Sequence, residues 1–189
     1  VWLVQDGVGG SDGQFAHGSG VQRIAKVKNA ADFLIGSDHI VIDVHEKITE
    51  NYKISDEDII LFENKHSQIQ ENSFIAFYTG WSQYWNNPKQ YHNNHSFPSI
   101  SESLANILVA RNVAGIGIDT LSPDVSASGF LVHKIILGAD KYIVENIANL
   151  EKMPAIGAYV LTLPLKGLGL TEAAVRMVGL ISKEDNNAK

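Results

Sequence analysis

Seven histidines, 21 acidic residues and no cysteine decide what kind of site this chain can build. Any metal would be held by imidazole and oxygen, a hard-to-borderline donor set. A disulfide, a thiolate zinc site and a cysteine nucleophile are excluded. The best-placed pair is His133 and Glu145. His133 follows a loop rich in Gly, Ser and Asp, and Glu145 ends the apolar run Tyr142-Ile143-Val144. A carboxylate in such a run is paired, metal-bound or at a strand end facing a cleft, unless it accepts backbone hydrogen bonds. Asp119 follows Gly115-Ile116-Gly117-Ile118, at the end of a strand where sites in α/β folds gather. Its alternative is a turn or cap carboxylate in Asp119-Thr120-Leu121-Ser122-Pro123-Asp124. His17, with Gly18 beside it, is either exposed or an imidazole given room to approach a substrate. His92 and His95 have the i, i+3 spacing of a metal pair on one helical turn, but the surrounding Asn and Pro favour a solvated loop. Asn94-His95-Ser96 is a formal glycosylation sequon. There is no G-x-S-x-G elbow, phosphate-binding glycine loop or H-E-x-x-H.

The elements that must position these residues follow from patterning. Val1-Trp2-Leu3-Val4 reads as a short strand, and the glycine-rich stretch 7–20 as loop. Residues 28–35 are weakly helical, and His39-Ile40-Val41-Ile42-Asp43-Val44 is a β-branched strand. Ser55 and Asp58 form a capping box opening a helix to about Asn64. Residues 73–78 (SFIAFY) are a strand, and 81–100 a long polar and aromatic loop of the kind that carries function. Ser101 caps a helix through Arg111. Strands are predicted at 115–119, 142–145, 158–164 and 175–181, with a short helix or turn at 130–138. Strands alternating with two or three real helices predict an α/β fold with a mixed sheet, in one domain over residues 1–189.

Composition narrows the function. The 189 residues, 44% hydrophobic and 19% charged, are globular values. A net charge of −6 argues against a nucleic-acid partner, and no apolar run is long enough for a transmembrane helix. No signal peptide is visible, which predicts a cytoplasmic protein, although the chain starts at Val1 rather than Met. Six of its sixteen glycines fall in the first twenty residues, a spacing no core element would have.

Three blocks together resemble the cyclase family of metal-dependent hydrolases, which includes kynurenine formamidase and isatin hydrolase. They are Tyr78-Thr79-Gly80-Trp81-Ser82-Gln83-Tyr84, the run Gly115–Asp124, and Val132-His133 through Glu145-Asn146-Ile147-Ala148-Asn149-Leu150. The resemblance covers roughly residues 36–182 and implies a layered β/α/β fold with a mixed sheet. It makes His133 and Glu145 ligands of Zn or Mn, and His17 the catalytic residue. Trp81, Tyr84 and Phe15 would wall a planar substrate, giving an arylformamidase-like hydrolase of the kynurenine pathway. The family's H-x-G-T-H-x-D-x-P-x-H signature aligns with residues 7–17, where Gly9 and His17 match. Its three ligand positions hold Gly7, Ser11 and Gly13, and its proline position holds Phe15. Asp12, next to Gly13, is the donor that a shifted loop would bring in. The departure leaves a second expectation open, a family member that binds a ligand or partner without hydrolysis. The resemblance also implies a homodimer or larger homo-oligomer acting on a small molecule. With only six residues before Gly7, a sheet edge is expected to be covered by a partner chain or by residues 1–4.

Overall fold

A computed structural model describes residues 2–4, 36–164 and 172–182. The helical reading of residues 28–35 and most of the glycine-rich opening lie outside them. Seven strands form one sheet: β1 (Trp2–Val4), β2 (Gly36–Asp43), β4 (Phe74–Tyr78), β6 (Gly115–Ile118), β7 (Tyr142–Val144), β8 (Ala158–Pro164) and β9 (Val175–Leu180). Their order is β1-β9-β8-β2-β4-β6-β7. Strands β2, β4, β6 and β7 are parallel, whereas β8, β9 and β1 add on antiparallel, so the sheet is mixed as expected. A separate parallel pair joins β3 (Lys53–Ile54) to β5 (Ser99–Ile100).

The parallel strands are apolar on both faces because both faces are covered. Register places Ile40, Ile75, Ile116 and Ile143 in one row across the sheet. On that face pack three helices, α1 (Asp56–Lys65), α3 (Glu102–Ala110) and α4 (Leu131–Gly138), through Ile59, Phe62, Leu104, Leu108, Val132 and Ile136. The opposite face carries Val41, Phe74, Ala76, Val144, Val160 and Met177, covered by Ile147, Leu150 and Met153. There His39, Phe74, Gly115 and Tyr142 form one row, with Phe74 stacked between the His39 ring at 6.0 Å and the Tyr142 ring at 5.4 Å. A Cβ on Gly115 would lie 2.9 Å from the Tyr142 ring, so glycine is what lets that ring lie across the strand.

The helix starts follow their caps. Ser55 and Asp58 make the predicted capping box, with Ser55 N–H donating to Asp58 Oδ2 at 2.9 Å. Ser101 Oγ accepts from Leu104 N–H at 3.2 Å. Residues 81–100 differ from the expected open loop. They hold a 3₁₀ turn at Trp81–Tyr84, a short helix α2 (Pro88–His92), a second 3₁₀ turn at Asn93–His95 and strand β5. The Asn and Pro that argued against a helix start one: Asn87 Oδ1 accepts from Gln90 N–H, and Pro88 sits where its missing N–H costs nothing. Asn93, at φ 36°, ends it. The stretch 130–138, read as helix or turn, is the helix α4.

Candidate functional site

The parallel strands β2, β4, β6 and β7 point their C-terminal ends the same way, and the polar residues that follow them are collected at that edge of the sheet. Asp119, just after β6, is buried there. It accepts from Thr79 N–H at 2.9 Å, Thr79 Oγ1 at 2.6 Å and Ser82 N–H at 3.4 Å. Burial raises its pKa, and these hydrogen bonds oppose the rise. Its work is to hold the turn after β4, so the turn-carboxylate alternative describes it. Gly80, at φ +74°, lets that turn bend toward His45.

His133 is the third residue of α4, and Glu145 follows β7 directly. The structure brings the two together, with His133 Nε2 3.4 Å from Glu145 Oε1. The opposite ring nitrogen, Nδ1, is 2.8 Å from Asp124 Oδ2. Asp124 is buried and also accepts from His133 N–H at 2.9 Å, Val132 N–H at 3.2 Å and Ser128 Oγ at 2.7 Å. It therefore caps α4, whose own N-cap Phe130 offers no side-chain bond, and fixes the imidazole in one step. Burial alone would raise the Asp124 carboxyl, but the bonds from His133, Ser128 and Val132 hold it below the usual range. Burial alone would lower His133, but hydrogen bonds to Asp124 and Glu145 and their charges raise it to about 9. A cation between Nε2 and Glu145, whether proton or metal ion, is what this geometry favours. His133 Nε2 and Glu145 Oε1 face one another, and both are donor types that a Zn or Mn ion would take. Among the described residues no third His, Asp or Glu completes such a cluster.

An aromatic cluster follows β4. Trp81 is buried, its Nε1–H donates to Tyr91 O at 2.9 Å, and Tyr84 meets it edge-on at 5.0 Å. Tyr91 donates to Asp119 O at 2.9 Å and reaches Asn146 Oδ1 at 2.8 Å, tying the aromatic loop to the residue after Glu145. Its hydroxyl is pushed up, first by burial and then by the charges of Asp119 and Glu145. A cleft of about 590 Å³ opens against Trp81 and Tyr84, lined also by His45, Glu50, Tyr78 and Asn93 but by neither His133 nor Glu145. His45 is held by Asp43, whose Oδ1 accepts from His45 N–H at 3.1 Å and lies 2.6 Å from His45 Nδ1.

Of the residues expected from sequence, His133 and Glu145 meet, and Trp81 and Tyr84 stand together on the cleft. His17, Asp12 and Phe15, with Gly7, Ser11 and Gly13, lie outside the described residues. His92 and His95 are exposed, with rings 6.0 Å apart. Sequence reasoning gave no role to Asp124, Asp43, His45 or Tyr91. Asp124 had a signal, since an acidic residue several positions before an uncapped helix can serve as its cap.

The mixed sheet and the strand-end cluster define an α/β protein with its site at the carboxyl edge of a parallel core. The family described as "Putative cyclase" matches residues 15–125, more than half the chain, and the chain belongs to that family. It is 24% identical over 124 residues to an uncharacterized protein of Methanocaldococcus jannaschii, covering 65% of this chain and 62% of that protein. It is 24% identical over 132 residues to an isatin hydrolase of Roseibium aggregatum, covering 65% of this chain and 50% of that protein. The chain thus spans half to about three fifths of the curated relatives it matches. The structure of isatin hydrolase A from Labrenzia aggregata, bound to benzyl benzoate, superimposes with a TM-score of 0.76 at 24% identity. That match covers 86% of this chain and 67% of the other, and it shows a shared fold.

Proposed function

We propose that the protein is a metal-dependent hydrolase of an amide or formamide bond in a small aromatic substrate, with His133 and Glu145 among the ligands of a Zn or Mn ion. The observation that carries this reading is the imidazole clamped at Nδ1 by buried Asp124 and turned at Nε2 toward Glu145. The family and the likeness to an isatin hydrolase support it. Held by His133 and Glu145 with further donors, such an ion would supply a Lewis acid for the scissile carbonyl and lower the pKa of bound water. Asp124 fixes the tautomer, so that the lone pair of His133 Nε2 faces the site. Trp81 and Tyr84, with Phe15, hold the substrate ring, and His17 moves the proton. The glycines and serine at positions 7, 11 and 13 favour a second reading, a family member that binds its ligand without hydrolysis.

Metal content by mass spectrometry, with rates on N-formylkynurenine and on isatin in added Zn or Mn, separates the two. Bound metal that is lost in His133→Ala and Glu145→Gln, with a rate lost in parallel, supports the first. A metal-free, inactive protein that gains metal binding on changing Gly7, Ser11 and Gly13 to His, His and Asp supports the second.

A further inference from the structure

His45 lines the cleft, and Asp43, bonded to its ring, is the last residue of β2. Neither is bonded to His133 or Glu145 among the described residues, and two observations define what the pair can offer. The first is orientation. Asp43 Oδ1 lies 2.6 Å from His45 Nδ1 and accepts from the His45 backbone N–H, so one oxygen pins both ring and backbone. A carboxylate on Nδ1 places the proton of the neutral ring there, which makes Nε2 an acceptor. No hydrogen bond to Nε2 is present among the described residues. The second is the company the ring keeps. The Tyr78 ring lies 5.3 Å from it, tilted by 37°, and Trp81 and Tyr84 supply further aromatic surface in the same cleft. A Cβ on Gly80 would come within 3.2 Å of His45 Cβ, so the turn that carries Trp81 is packed against this histidine.

We propose that the cleft takes a flat aromatic ligand through one N–H or O–H donor, received by His45 Nε2. Walls of Tyr78, Trp81 and Tyr84 select the ring, and the acceptor selects its polarity. This rests on reading the cleft as the substrate site and adds the group that chooses among substrates. An aromatic amide or amine whose nitrogen carries hydrogen satisfies both walls and acceptor, whereas its N-alkylated counterpart leaves Nε2 unpaired. Asp43 is the positioning residue, because it alone decides which ring nitrogen carries the proton.

The test is equilibrium dialysis with EDTA present and no turnover, using indole as donor probe, 1-methylindole as donor-free probe and quinoline as acceptor probe. Indole is expected to bind about three- to tenfold more tightly than 1-methylindole, the range of one neutral hydrogen bond. His45→Phe should bind the two indoles equally. Asp43→Asn keeps an oxygen that accepts from both Nδ1 and the backbone N–H and should keep the indole preference, whereas Asp43→Ala removes that oxygen, lets the ring proton sit on either nitrogen, and should bring indole and 1-methylindole together while quinoline gains. That split between the two variants is a result a merely structural role for Asp43 would not give. Equal binding of both indoles by the unaltered protein, a preference that survives in His45→Phe, or no binding of any probe overturns the proposal. Because metal and turnover are absent, loss of the hydrolase reading leaves these outcomes unchanged.

Discussion

His39 sits in the middle of the sheet with 2% of its surface exposed. Its Nδ1 has no hydrogen-bond partner and its ring stacks on Phe74. Burial lowers its pKa from 6.5 to about 4. The folded protein therefore keeps the ring neutral, while the unfolded chain protonates it at pH 6.5 and below. Above that pH the residue makes stability no more dependent on pH. As pH falls from 6.5 toward 4 the unfolded state takes up a proton that the folded state refuses, and stability is lost. A shift of about 2.5 units at about 1.36 kcal/mol each makes the loss about 3 kcal/mol by pH 4. Urea unfolding at pH 7.0, 5.5 and 4.0 should show it in the unaltered protein. It should be missing from His39→Phe and His39→Leu, whose packing costs do not depend on pH and so drop out of the comparison. If both variants lose as much stability between pH 7 and 4 as the unaltered protein, the reasoning fails. A titration of the His39 ring by NMR centred near 6.5 would refute it directly.

Two further outcomes are expected. Asp124→Asn should leave the sheet in place but loosen the His133 ring, weakening Zn or Mn binding by about 10- to 100-fold as read by competition with a chelating dye; unchanged affinity would remove Asp124 from the site. Gly117→Ala puts a Cβ 2.4 Å from Ile147 Cδ1 and 2.7 Å from Phe74 Cζ, and should cost about 1–3 kcal/mol in urea unfolding; a neutral result would mean that the second core is loosely packed.

Much of the fold was legible because the chain's local and long-range preferences agree. The runs FIAFY and GIGI are apolar at every position, as buried parallel strands must be. Ser55 and Asp58 carry their helix start within four residues. What escaped reading depends on contacts far apart in sequence or on one residue acting twice. Asp124 caps α4 and orients His133 from nine positions away, which no local pattern announces. The helix Pro88–His92 is hidden by polarity, since its turn is held by Asn87 and by the buried ring of Tyr91, whose partners Asp119 and Asn146 are 28 and 55 residues off. The Asp43–His45 pair is two exposed side chains whose place beside Gly80 is set by the turn after β4, 35 or more residues away.

The three stacked rings of His39, Phe74 and Tyr142 have a consequence for how the molecule opens. Strand β7 is at the rim of the sheet and only three residues long, the sort of element that frays alone. Yet Tyr142 reaches back across Gly115 to Phe74, which in turn stacks on His39 one strand further in. Peeling β7 away exposes an aromatic ring belonging to the centre, so the rim and the centre let go together. The amides of β7 are expected to exchange with the core rather than as an edge, and Glu145, the next residue, keeps its place with them. A loop-borne carboxylate is kept at its station by a tyrosine three residues earlier.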